Sequence, residues 1–541
     1  VHKHPQLPLP QDIFSENRLN SAGINVHDST TLQQLQSAIE AQHDSSRTAC
    51  SVINGQSKPG AENFTVHSPA DLNKTIGHYS HTDEAGLKEA VDTAHNYFPQ
   101  WRDSRSEDRC EAARKTAELL ETNRDQLLYL LRHEAGKTLE DAIAELREAV
   151  DFCRYYAEQA GQLCGDPMTM PGPTGESNFL YHQGKGVFVC ISPWNFPLAI
   201  FTGQIIAALV TGNCVIAKPA EQTNLIAHQT VQLMHQAGFP PEALQLTLGP
   251  GKLVGNYLCR HPAVHGVVFT GSTATAQVIN RNLVNRDSRE IATLIAETGG
   301  QNCMIADSST LPEQLVEDVI DSAFYSCGQR CSALRVLYIQ DDVADKVITM
   351  LQGAMNQLKV GHPRHFDTDV GPLIDQTALD TLLAHRDKMA KTGQLLKAPK
   401  LPDLKGYYVS PQAVEIDSIR QLDEEIFGPF LHIIRYPSKN LDQVIEDINS
   451  TGYGLTTGVH SRIDDTIEYV VSKVQAGNCY INRNMTGAVV GVHPFGGMGL
   501  SGTGPKAGGP GYLHRFVHEK TVTNNIAAVG GNADILGLSD D

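Results

Sequence analysis

The sequence lacks any apolar run approaching the ~18 residues that a membrane-spanning helix requires. No leader with a basic start and a short apolar core opens it, so no secretory signal is read there. Positive charge is in short supply: 43 Lys and Arg stand against 61 Asp and Glu, a formal charge of −18. That balance argues against a nucleic-acid partner, whose phosphates need a positive surface. A small anionic substrate stays possible, because a pocket can differ in sign from the surface around it. The 11 cysteines are odd in number and scattered, which suits a reducing compartment better than a disulfide framework. A cytoplasmic location is therefore expected. No internal repeat stands out. The chain begins with Val1 rather than methionine, which suggests a piece of something longer or processed.

With 41% hydrophobic and 19% charged residues, the composition is that of a soluble globular protein. At 541 residues it exceeds one ordinary core, so two large domains are expected. Residues 1–60 read as a polar linker with one short helix near 31–42. From 104 to 160 the pattern is helical. Thr138 there resembles an N-cap, and Ile143, Leu146, Val150 and Cys153 form one buried stripe, which marks a packing helix. Between 168 and 189 the period changes to two, with Gly184 and Gly186 as turn residues, giving a hairpin. Three strand-then-helix units follow, beginning GVFVCISP, GNCVIAKP and HGVVFTGST, and a second alternating region runs from 302 to about 485. The class is α/β, with parallel sheets covered on both faces. EKTVTNN near the C-terminus reads as an edge strand, expected to pair on a partner chain.

No G-x-G-x-x-G follows any of these strands, so the common dinucleotide fingerprint is missing. FTGST does place Gly271 and Ser272 where a strand turns into a helix, whose free amides favour a phosphate. KPAEQT puts Lys218 and Glu221 at the equivalent end of the neighbouring strand, within reach of ribose hydroxyls. A carboxylate there repels a 2′-phosphate and favours NAD over NADP. An ordinary strand–helix cap and a solvated loop are the plain alternatives for the two segments.

SCGQRCSALRV holds two cysteines four positions apart. A structural metal wants further soft ligands, and no second pair or Cys/His cluster follows, so no metal is expected. A thioredoxin-type pair has two intervening residues, not three. Two inert core thiols, or one nucleophile with a bystander, remain. AETGG supplies Glu297 and SPWNFP supplies Asn195. With Cys331 they are the types that attack on a carbonyl needs: a thiolate, an oxyanion donor and a base for water.

At these residues the chain resembles a known family. AETGGQN and GQRCSA, 34 positions apart from Glu297 to Cys331, are similar to the glutamate and cysteine signatures of the aldehyde dehydrogenase superfamily. SPWNFP, KPAEQT, FTGST, EEIFGPF and PFGGMGLSG resemble its other motifs in order, over roughly residues 60–525. The resemblance implies a Rossmann-like NAD-binding domain (61–167 and 190–297) and a catalytic domain (298–500). It also implies a small β oligomerisation flap with the C-terminal tail (168–189 and 501–541), and a homodimer or higher homo-oligomer. It makes Cys331 the nucleophile and Glu297 the base, with Asn195 and the Cys331 amide as oxyanion donors. Lys218, Glu221, Gly271 and Ser272 would serve the adenosine side of NAD, while Glu425 and Phe427 would hold its nicotinamide end. Cys327 would be a buried bystander.

The run 482–512 is rich in glycine, and Gly487-Ala488 could offer consecutive backbone amides, a nest for a carboxylate. A tight loop closing the substrate funnel is the plain alternative. The run resembles the anchor loop of the L-glutamate γ-semialdehyde (1-pyrroline-5-carboxylate) dehydrogenases. That likeness implies Ser332, Gly487 and Ala488 on the α-carboxylate, with Phe196 and Phe495 sandwiching the aliphatic part. Ala488 departs from the pattern, since relatives often carry serine there. PQDIFSENRLNSAGINV and NNIAAVGGNADILGL resemble the segments flanking this dehydrogenase in the bifunctional proline utilization family. There a flavin-dependent proline dehydrogenase module precedes it, a module expected in the parent and absent here. Another small carboxylated aldehyde such as succinate semialdehyde is the rival substrate, and would favour an arginine-lined pocket. A catalytically silent interaction module is the rival outside enzymes.

Overall fold

In a computed structural model the described residues are 7–14, 18–173, 175–288, 290–396 and 398–525. Two seven-stranded sheets carry the chemistry. The first runs in the order Thr293–Thr298, Val264–Gly271, Val187–Ile191, Cys214–Lys218, Leu244–Leu246, then Ser51–Ile53 and Gln56–Lys58. Its first five strands are parallel and the last two antiparallel. The parallel strands are short, rich in Val, Ile and Ala, and almost wholly buried, because helices such as Ala199–Val210 and Asn224–Gln236 cover them.

Chain order reverses at Val187–Ile191: the next two strands lie on one side of it, and the two after them on the other. Such a switch opens a crevice at the carboxyl ends of the strands, the usual ligand position in open α/β sheets. The loops bearing Asn195, Lys218 and Ser272 all leave the sheet at that edge.

The second sheet has the order Gln394–Leu395, Gln412–Glu415, Phe430–Tyr436, Val336–Gln340, Cys303–Ala306, Thr456–His460, Asn478–Ile481, parallel except for its first strand. The chain passes from Thr298 at the end of the first sheet into Cys303 at the start of the second. Carboxyl ends of one sheet thus lie beside amino ends of the other, and the gap between them is the site.

Several expected elements recur. The short N-terminal helix is Ser29–Glu40, and Thr138 does cap the long helix Leu139–Cys164, its hydroxyl accepting from the Asp141 amide at 3.3 Å. Two differences stand out. Within the segment read as a polar linker, Ser51–Ile53 and Gln56–Lys58 form strands of the first sheet. Their pattern is too short to announce itself; contact with Leu246 on a distant strand orders them.

The expectation that the EKTVTNN strand pairs on a partner chain is corrected. Val517–Asn525 pairs antiparallel with Glu176–Gly184 of its own chain through nine register pairs. The reason is proximity: the turn preceding it is fixed to the base of the hairpin, where Lys185 Nζ donates to the Arg515 carbonyl at 2.7 Å and Asn213 Nδ2 to that of Phe516 at 3.0 Å. Met168–Met170 completes this three-stranded sheet. Residues 1–6, 15–17 and 526–541 lie outside the described residues, and with them part of the two terminal segments singled out above.

Candidate active site

Cys331 follows a turn in which Ser326, Cys327 and Gly328 all have positive φ, between 54° and 61°. Non-glycine residues rarely take this conformation, so the surroundings must over-determine it. Fully buried Arg335 does so, donating to the Gly328 and Gly428 carbonyls at 2.8 and 3.2 Å. Asn302 donates to the carbonyls of Cys331 and Ala333 from the other side. The turn drives Cys327 into the core and leaves Cys331 part-exposed at the wall of a cavity of about 140 Å³.

Burial first, then the carboxylates of Glu425, Glu297 and Glu148, push the Cys331 thiol up to about 12. Glu297, one residue before the end of the Thr293–Thr298 strand, lines the same cavity. Its Oε2 accepts from the Gly497 amide at 3.1 Å, while its buried Oε1 has no partner among the described residues. Burial pushes its carboxyl up to about 8, against the pull of the Gly497 amide and Lys506. PFGGMGLSG is glycine-rich here for a steric reason. A Cβ on Gly496 would stand 2.7 Å from Glu297 Oε1, and one on Gly502 would stand 2.8 Å from Oε2.

The cavity also brings together Ser332, Gly487, Ala488, Phe196 and Phe495. Gly487 has φ +75°, as a turn that aims successive amides inward requires. Asn195 lies just outside this wall, buried beside a small void under the Cys327 turn, with Nδ2 donating to the Gln329 carbonyl at 3.0 Å. Its second amide hydrogen remains for another acceptor.

At the first sheet's edge, Lys218 is buried at a strand end. Burial lowers its ammonium to about 8, with Glu221 acting in the other direction. Glu221 Oε1 accepts from the Gly251 amide at 2.9 Å. Ser272 caps the helix Thr273–Val284 directly after Gly271. Glu425 forms an ion pair with Arg335 at 3.1 Å, and the Arg335 guanidinium lies 5.2 Å from the centroid of the Phe427 ring. A buried ammonium, a nearby carboxylate and a helix start at the carboxyl edge of one sheet fit a dinucleotide that has both ribose hydroxyls and a pyrophosphate.

Reading the sequence missed the helix face opposite the apolar stripe. Asp141, Glu145, Glu148, Phe152 and Tyr156 all line the cavity. Glu145 pairs with Lys137 at 2.9 Å and accepts the amides of Leu198 and Ala199 at 2.8 and 3.2 Å. Lys137 Nζ sits 4.4 Å over the Phe196 ring, so this pair fixes the loop bearing Asn195 and Phe196. Arg330 is tied to Asp141. Glu148 has no ion-pair partner among the described residues, and burial, then Glu145, pushes it up to about 8. The available signal was acids at helical spacing inside a helix whose other face is also buried.

The sequence pattern that defines the Aldehyde dehydrogenase family matches residues 56–522. The chain belongs to the aldehyde dehydrogenase family. Membership makes it an oxidoreductase of the NAD-dependent type. It is 46% identical to the Bifunctional protein PutA of Salmonella typhimurium over 524 residues, covering 95% of this chain and 39% of that protein. It is 35% identical over 476 residues to the 1-pyrroline-5-carboxylate dehydrogenase of Anoxybacillus flavithermus, covering 87% of this chain and 92% of that one. Among solved structures, it resembles Proline Utilization A of Bradyrhizobium japonicum at 49% identity with a TM-score of 0.89, over 97% of this chain and 50% of that one. The Thermus thermophilus 1-pyrroline-5-carboxylate dehydrogenase matches at 31% identity with a TM-score of 0.90, over 94% of this chain and 99% of that one. This aldehyde dehydrogenase chain thus spans well under half the length of the bifunctional protein it matches.

Proposed function

We propose that this chain oxidises L-glutamate γ-semialdehyde to L-glutamate with NAD, the second step of proline catabolism, in a cytoplasmic setting. The observation that carries the reading is one cavity that holds Cys331, Glu297, the Ser332, Gly487 and Ala488 group, and Glu148, which has no ion-pair partner among the described residues. An amino-acid aldehyde has a carboxylate for the nest and an ammonium for Glu148. Succinate semialdehyde has only the first. Arg330 does line the cavity, as that rival would favour, but its charge is committed to Asp141. Similarity to proteins named 1-pyrroline-5-carboxylate dehydrogenase supports the same substrate.

Lys218, Glu221, Gly271 and Ser272 would hold the adenosine half of NAD, and Glu425 with Phe427 the other end. Bound NAD supplies a hydride acceptor. Cys331 Sγ bonds to the aldehyde carbon as its proton passes to Glu297, directly or through water. Asn195 Nδ2 and the Cys331 amide donate to the resulting oxyanion. Loss of hydride from that carbon leaves an acyl thioester on Cys331. Glu297 gives that first proton up to solvent, then takes another from water, whose oxygen bonds to the acyl carbon as the C–S bond breaks. The acid is released, and the proton on Glu297 returns to the Cys331 sulfur. Phe196 and Phe495 keep other water from the chain of methylenes.

The test is NADH production with the cyclic pyrroline, against succinate semialdehyde and short aliphatic aldehydes. Preference for succinate semialdehyde would overturn the substrate. Glu148→Gln is expected to raise KM for the amino aldehyde and leave KM for succinate semialdehyde unchanged. Asn195→Ala is expected to keep cofactor affinity and lose about two orders of magnitude in turnover, roughly 3 kcal/mol at the transition state. The homo-oligomer and the preceding flavin-dependent proline dehydrogenase module belong to the same proposal, supported by likeness to the bifunctional proteins.

A further inference from the structure

The small three-stranded sheet carries a cluster that the dehydrogenase chemistry does not use. His182 on the Glu176–Gly184 strand and Glu519 on the Val517–Asn525 strand are direct register partners. His514 lies in the short turn Leu513–Phe516 that leads into the second of these strands. One ligand atom from each of the three lies within 4.8 Å of the other two. His182 Nε2 is 3.7 Å from Glu519 Oε1, and the two imidazole rings meet edge to face with centroids 5.7 Å apart. That 3.7 Å is longer than a hydrogen bond. Among the described residues the three polar heads have only one another as partners.

We propose that His182, His514 and Glu519 form a binding site for a divalent transition-metal ion of the zinc class. Two imidazole nitrogens and one carboxylate are the donor set of three-ligand zinc sites that keep a fourth position for water. Magnesium and calcium are disfavoured, because they take oxygen ligands. Bonds of about 2.0–2.2 Å in a tetrahedron put ligand atoms roughly 3.4 Å apart, close to the His182–Glu519 spacing. The remaining closure falls on exposed His514 and Glu519, which turn without disturbing the core, whereas the His182 side chain is only 6% exposed and stays where packing holds it. The backbone is set in advance by the nine register pairs and by the Lys185 and Asn213 bonds to the turn. The ion joins three segments and fixes the C-terminal strand to the hairpin.

The test uses the full chain, stripped with a chelator and titrated with Co²⁺ as a spectroscopic stand-in for zinc. One ion per chain is expected, with visible ligand-field bands and without the near-ultraviolet band of cobalt–thiolate bonds, and with a melting temperature that rises with metal concentration. His182→Ala and His514→Gln should each abolish this uptake, while His518→Ala, next to the cluster on the same strand, keeps it. Unchanged NADH production certifies that each variant is folded, and exposed His514→Gln carries the test should His182→Ala fail to fold. Absence of saturable one-to-one uptake, retention in His514→Gln, or a thiolate band would each overturn the site.

Discussion

Burial disfavours the charged form of both groups proposed to react, the Cys331 thiol and the Glu297 carboxyl, and only the ionised carboxylate of Glu297 can take up the thiol proton. Because burial raises Glu297 to about 8, its basic form accumulates only as pH climbs through that value. Below it, thioester hydrolysis should fall about tenfold per pH unit in rapid-quench or stopped-flow experiments, and Glu297→Gln should flatten the profile at a low rate. The same carboxyl holds its proton more tightly folded than unfolded, so ionising it costs stability as pH rises from the ordinary carboxylate range through about 8. Glu297→Gln is accordingly expected to melt higher than the parent chain at pH 9. Gly496→Ala pushes a methyl against the mobile end of the Glu297 side chain, a clash relieved by moving the base rather than the backbone. Turnover should drop by roughly tenfold or more with the melting temperature nearly unchanged. Cys331 and Glu297 were singled out by residue type and by the resemblance of their segments to the family's signatures, and both line the one cavity. Glu148 was not, because a charge on a helix ordinarily faces water and nothing local marks the exception.

The helix Leu139–Cys164 does two jobs that its sequence displays unequally. Its apolar stripe follows the helical period and was legible; its acidic face acquires meaning only when Lys137, Arg330 and the loop before Ala199 converge on it. Removing one partner from the buried Lys137–Glu145 pair leaves a charge uncompensated. Lys137→Met should destabilise the chain by about 3–5 kcal/mol, seen as a lower urea midpoint, and should impair turnover by releasing the loop that carries Asn195. The turn before Cys331 shows a similar division. Its cysteine spacing was visible, but three successive positive φ angles depend on Arg335, whose bonds reach across to Gly428.

Over the whole molecule, the alternation of strands and helices disclosed both parallel sheets, since a buried parallel strand needs a continuous apolar run. The pairing of Val517–Asn525 was not disclosed, because an edge strand carries no address for its neighbour. Sedimentation at micromolar protein is expected to show a dimer or larger, and monomer alone would count against assembly through this sheet. The bond between Lys185 and Arg515 spans 330 positions. At synthesis rates of about 5–20 residues per second, the hairpin leaves the ribosome roughly 20–70 s before the strand that covers it. During that interval Glu176–Gly184 offers an open edge to any other nascent chain. A chain ending before Val517 would make that hazard permanent, so it should collect in inclusion bodies even though every side chain proposed for the chemistry is present in it.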